Sequence, residues 1–275
     1  MLGKLIKYEW KSTCRMGLLM LGSMVLVTLL GWMAFQTPMW QGFNTGKYSF
    51  GWLDIFSLLT LLMYVVLLAG TNLCVTIYIG VHFYQTMYTD QGYLTHTLPV
   101  TKQQILGSKL LVSGLWLMLI TIAMYLSAAF LGFTMLYSFA PDFTAAELLK
   151  DVADAVGFFM SRMRVELGLD VAHWLWALLV ALILGPFSQA AILFGAISMG
   201  QLFSKHRVLM SVLCYIGILV VNSILNSLLR SIQTVLDLGS YMNFGLDMGI
   251  LLEVVMGVGL YIVSYYVINR KLNLE

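Results

Sequence analysis

The chain has 275 residues, 60% of them hydrophobic and only 10% charged, with 15 Lys+Arg against 13 Asp+Glu for a formal net charge of +2. An average soluble domain is about 45–50% apolar and about 25% charged, so a water-soluble fold of this length would lack the charge to cover its surface. The near-neutral balance, with no basic block, excludes a nucleic-acid binder.

The apolar excess is expected to face lipid, in an all-α integral membrane protein. At the N-terminal end, Lys4, Lys7, Lys11 and Arg15 recur at steps of three and four and form one stripe of a helix, with Leu2, Leu5, Ile6 and Trp10 on another side. Residues 1–15 therefore read as an interfacial amphipathic helix lying on the membrane surface. The apolar run that follows, 16–46, carries no charge and is too long for the core of a cleaved signal peptide.

A helix needs about 20 residues to cross about 30 Å of hydrocarbon. Four further runs free of Asp, Glu, Lys and Arg meet that length, 55–89, 110–141, 171–204 and 208–229, and a sixth, 248–269, is interrupted only by Glu253. Six transmembrane helices are expected. Ten of the 15 Lys and Arg fall in the N-terminal segment, the second-to-third and fourth-to-fifth connections and the C-terminal end. Basic residues are retained on the cytoplasmic side of short loops, which assigns both termini to the cytoplasm.

The connection at 87–110 has an unusual grammar. Asp90 is placed to cap a short helix beginning at Gln91, Pro99 to end it, and Thr101 with Gln104 to form a capping box opening the third span. Tyr93, Leu94 and Leu98 supply an apolar face and Thr95, His96 and Thr97 a polar one, a pattern suited to docking in a groove of another protein.

On the opposite side, Thr144 and Glu147 form another capping-box pattern, and Leu148, Leu149, Val152, Val156, Phe159, Met160 and Met163 follow at helical steps. The segment 141–170 is thus an extracellular amphipathic helix, a packed connection or a lid. In the last outer connection Gly245 and Gly249 have GxxxG spacing, which carries little weight among 24 glycines.

Polar residues inside apolar spans must face protein or water. Asn222, Asn226 and Arg230 repeat every four residues in the fifth span, Asn72 lies in the second, Gln189 follows Pro186 in the fourth, and Glu253 lies in the sixth. They are candidates for a translocation path, with ordinary helix-to-helix hydrogen bonding as the simpler reading. His82, His96, His173 and His206 are dispersed and show no ligand spacing, so no metal site is expected. Cys14, Cys74 and Cys214 are odd in number and far apart, with no disulfide framework, and read as small buried apolar groups.

The words TDQGYLTHTLPVT at 89–101 resemble the cytoplasmic DEGYL-x-x-TLPV-type loop in permease subunits of type-2 ATP-binding-cassette transporters, particularly small ones from Gram-positive bacteria. The order of N-terminal helix, six spans and this loop extends the resemblance along the whole chain, 1–275, as one permease domain. It implies that 87–101 is a coupling loop whose short helix enters a separate ATPase subunit. Asp90, Gln91, Gly92, Tyr93, Leu94, Thr95, His96, Thr97, Leu98 and Pro99 would then make that contact. Gln91 departs from the acidic residue frequent in the family at that place.

The chain has no GxxxxGK[ST] phosphate loop. It is not expected to be an enzyme or to bind a cofactor, ATP and Mg being held by the partner ATPase. The resemblance further implies a second permease subunit, identical or not, in a multi-pass arrangement in the bacterial cytoplasmic membrane. Export is the expected direction, with an amphipathic or antimicrobial peptide or another hydrophobic compound as substrate. The alternative is a non-transporting membrane scaffold, signalling protein or membrane enzyme, which would have no associated ATPase.

Overall fold

In hydrocarbon a backbone N–H or C=O has no water to bond, so spanning segments close their hydrogen bonds internally as helices. The computed structural model describes residues 2–36, 51–97, 99–139, 145–167, 171–203, 205–235 and 242–270, and among these the regular structure is entirely helical. In chain order the helices are α1 (Leu2–Phe35), α2 (Trp52–Tyr88), α3 (Asp90–His96), α4 (Lys102–Phe139), α5 (Ala145–Leu167), α6 (Val171–Gly200), α7 (Arg207–Val235) and α8 (Met242–Arg270).

Six of them, α1, α2, α4, α6, α7 and α8, are long and apolar enough to cross a membrane. The protein is therefore read as a multi-pass membrane protein. The 38 residues of α4 rise about 57 Å at 1.5 Å each, so the longest helices exceed the hydrocarbon thickness and continue beyond it. The wide lipid-facing surface is plain on α7, where Leu209, Val212, Leu213, Ile216 and Val220 are all exposed. On a water-soluble protein such a patch would promote aggregation.

The N-terminal residues do not form a helix of their own. They are the first turns of α1, which runs unbroken through Arg15 into the first span. No Pro or Gly falls between Lys4 and Met16 to stop it, and the Thr13 hydroxyl folds back on the Glu9 carbonyl at 3.0 Å. The expected partition of faces holds in it for all but Leu2: Lys4, Lys7, Lys11 and Arg15 are exposed and Leu5, Ile6 and Trp10 are partly covered, but Leu2 is exposed as well.

Two units are distinguished by their internal packing: residues 1–14, 76–118 and 163–275 in one, 15–75 and 119–162 in the other. In the second unit Val27, Phe35, Tyr64 and Leu131 form a buried cluster, with Leu61 and Leu68 against it. Its polar groups are matched inside the apolar environment. The Ser127 hydroxyl lies 2.7 Å from Thr28 Oγ1 and 2.8 Å from the Tyr64 hydroxyl. Ser57 and Ser138 donate at 2.8 and 3.0 Å to the carbonyls of Ala34 and Phe35, the last residues of α1.

In the first unit α6 is the central element and packs against α8 and α7. Residues 190–198 are buried without interruption, and Phe194 stacks on Phe83 with ring centroids 3.8 Å apart. The fourth expected span is shorter than its charge-free run: α6 ends at Gly200, and a turn leads through His206, in the left-handed region at φ 54°, into α7. Cys14 and Cys214 are partly covered and Cys74 is exposed, so the cysteines are not buried as expected.

Candidate functional site

The short helix expected between the second and third spans is present as α3, without the side-chain cap expected at its start. Thr89 leaves the helical region, with φ −106° and ψ −167°, and this ends α2. The expectation that Asp90 caps α3 is corrected: Asp90 is the first helical residue, and Thr89 stands at the cap position. Thr89 makes no side-chain cap bond, because its hydroxyl is used on the Gln85 carbonyl at 2.6 Å.

Gly92 makes the turn possible. Its N–H donates to the Thr89 carbonyl at 2.7 Å, and a Cβ at this position would sit 2.6 Å from the Met87 carbonyl oxygen. Only glycine lets α3 fold so closely against the end of α2. After His96, Thr97 closes the helix by donating its N–H to the Tyr93 carbonyl, and the chain passes Pro99 to Thr101. Thr101 then opens α4 as expected, its hydroxyl 3.4 Å and its carbonyl 2.9 Å from the Gln104 N–H.

The outer side of α3 is apolar and open. Tyr93 is 64% and Leu94 69% exposed, beside an exposed Gln91 and a half-covered Thr95. The side chains of Asp90 and His96, and the whole of Leu98, fall outside the described residues.

Near the end of α2 that precedes α3, helices are tied together by polar contacts that sequence reading missed. Lys109 of α4 is buried, and its Nζ donates at 2.8 Å both to Glu9 Oε1 of α1 and to Thr86 Oγ1 of α2. His82 Nε2 lies 3.1 Å from the same Glu9 oxygen. The carboxylate thus gathers one helix on each side of it. Close by, Trp10 stacks on Trp116 at 4.8 Å, and the Trp116 N–H donates to the Thr13 hydroxyl at 3.0 Å.

A second set of contacts leaves the end of α2 toward α6 and α8. The Tyr88 hydroxyl donates to Ser198 at 2.7 Å, Ser198 and Ser264 share a bond of 2.6 Å, and Ser264 reaches the Phe194 carbonyl at 3.3 Å. Lys102, at the start of α4, donates to the carbonyls of Ile268 and Asn269 at 3.1 and 3.4 Å, at the carbonyl end of α8. The signal for Glu9 lay in the sequence, as a lone acid within a basic stripe; its partners are 73 and 100 residues away.

The candidate path residues are not all brought together. Asn226 donates to the carbonyl and side-chain oxygens of Asn222 at 3.0 and 3.2 Å, on one face of α7. Arg230, one turn further, is exposed. Gln189 donates to Thr76 at 3.3 Å, and Glu253 is partly covered on α8 across from Gly185 of α6. Asn72 belongs to the other unit, where its amide meets the Met124 sulfur at 3.6 Å. Among the described residues no three His, Cys, Asp or Glu side chains form a metal-ligand group.

Comparison with protein-family models, with curated proteins and with solved structures returned no match in any of the three.

Proposed function

We propose that this chain is the permease subunit of an ATP-driven exporter, with α3 as the helix that engages a separate cytoplasmic ATPase. The observation that carries the proposal is α3 itself, a short helix between two spans with Tyr93 and Leu94 both largely exposed. Exposed aromatic and aliphatic anchors on a rigid helix suit insertion into a protein groove. The distribution of Lys and Arg supports a cytoplasmic position for this loop and for both termini.

The contacts at the end of α2 support a mechanical role for the docking helix. In this reading a load applied at Tyr93 and Leu94 would pass along the chain to the end of α2, which is bonded through Thr86 to Lys109 and Glu9 and through Tyr88 to Ser198 and Ser264. ATP-driven closure of two ATPases would thereby reach the membrane helices of a paired permease. Asn222, Asn226, Arg230, Gln189, Asn72 and Glu253 are the polar groups available to a translocation route for an amphipathic peptide or another hydrophobic compound.

The test is to purify the complex through this subunit and measure ATP hydrolysis, beside a Tyr93→Asp/Leu94→Asp variant. Both positions are exposed, so the variant is expected to fold and to lose the ATPase. Absence of hydrolysis with the folded wild-type chain would favour a membrane scaffold or a membrane enzyme.

A further inference from the structure

An apolar groove of about 370 Å³ lies between α2, α6 and α7, and one of its lining residues, Thr76, accepts from the candidate path residue Gln189 at 3.3 Å. Its floor is buried and includes Gly80, Leu193, Ile197 and Ser211. Its rim is built from Ile77 and Val81 on one side and Val208 and Val212 on the other, each about half exposed. Gly80 contributes to the depth: a Cβ there would lie 3.5 Å from the methyl groups of Leu193 and Ile197.

The groove is apolar along its length and charged at one end. Val208, Ser211 and Val212 form one stripe of α7, and the same stripe continues back to Arg207, whose carbonyl accepts from the Ser211 hydroxyl at 2.9 Å. Immediately before it come Lys205 and His206, both exposed. No Asp or Glu occurs in 55–89 or 171–236, the stretches that supply the whole lining, so the charges those stretches bring to this end are basic. The charge distribution of the chain puts this turn on the cytoplasmic side, where a membrane carries its anionic headgroups.

We infer that the groove binds one anionic phospholipid of the inner leaflet, its acyl chain between α2 and α7 and its headgroup phosphate against Lys205, His206 and Arg207. An apolar trough opening to hydrocarbon takes an acyl chain, and the basic turn selects the negative headgroup. A zwitterionic lipid satisfies the trough but not the turn. The site does not depend on an ATPase, so it is tested on the isolated subunit and stands or falls apart from the exporter reading.

The experiment is native mass spectrometry of the full chain in detergent, with equimolar phosphatidylglycerol and phosphatidylcholine of the same acyl composition. Wild type is expected to retain phosphatidylglycerol in preference. Lys205→Gln and Arg207→Gln are each expected to lower that retention about fivefold, the contribution of one basic side chain near an anionic surface. Val212→Trp, which fills the trough from its exposed rim, should release both lipids, and Val208→Trp repeats the test from the same side. Lys7→Gln, on the exposed face of α1, should change nothing. Equal retention of the two lipids by wild type, retention that survives both tryptophan variants, or an equal loss with Lys7→Gln would overturn the proposal.

Discussion

Lys109 shows how one side chain takes on two meanings at two levels of description. By position it is a basic residue flanking a span, and in the fold it is a buried cation held by Glu9 and Thr86. Removing one partner of a buried pair leaves an uncompensated charge and costs about 3–5 kcal/mol. Lys109→Met is therefore expected to lower the thermal midpoint in detergent strongly, and Glu9→Gln/Lys109→Met to lower it by less than the two single changes together. Simple additivity in that cycle would mean that the pair is uncoupled. Tyr88→Phe removes only a hydroxyl and leaves Ser198 and Ser264 bonded to each other, so a loss of about 0.5–1.5 kcal/mol is expected from the same melting measurement.

Among the elements, α3 was the most legible, and for local reasons. The pattern from Thr89 to Gln104 contains a turn residue, a glycine, a proline and a capping box, all acting within a few residues of one another. The assignment of the cap to Asp90 failed by one residue, because whether Thr89 caps or folds back on Gln85 is decided by the direction in which α2 ends. The close approach of Gly92 to Met87 yields a sharper test of this element than its exposed anchors do. Gly92→Ala forces α3 away from α2 without altering the Tyr93 and Leu94 side chains, so, on the proposed function, co-purified ATPase should fall with little change in the melting temperature. Unchanged recovery would show that the angle of α3 does not matter. On α7 the Asn222 and Asn226 pair was legible as a stripe, and on the proposed exporter function alanine at both is expected to reduce export at constant membrane yield; equal loss of both would assign the pair to packing.

For the whole molecule, the number of spanning helices was legible because burial in lipid requires only length and composition, both of which are local sums. Orientation is open to direct measurement. With Cys14, Cys74 and Cys214 replaced by serine, a membrane-impermeant maleimide should label Asp154→Cys in intact cells and Lys205→Cys only after permeabilisation. The reverse pattern would invert the topology and remove the cytoplasmic placement of α3.

Composition, the charge-free runs and the capping residues by themselves determined that the chain is helical, that six helices can span a membrane, and that a short helix separates the second from the third. Each rests on interactions within one turn or one segment. The meeting of Glu9 with His82 and Lys109, the hydroxyl chain from Tyr88 through Ser198 to Ser264, and the groove between α2, α6 and α7 came only with the packed structure. Those features join residues tens to more than a hundred positions apart. In a chain whose helices are apolar on nearly every side, periodicity does not say which face meets a neighbour and which meets lipid.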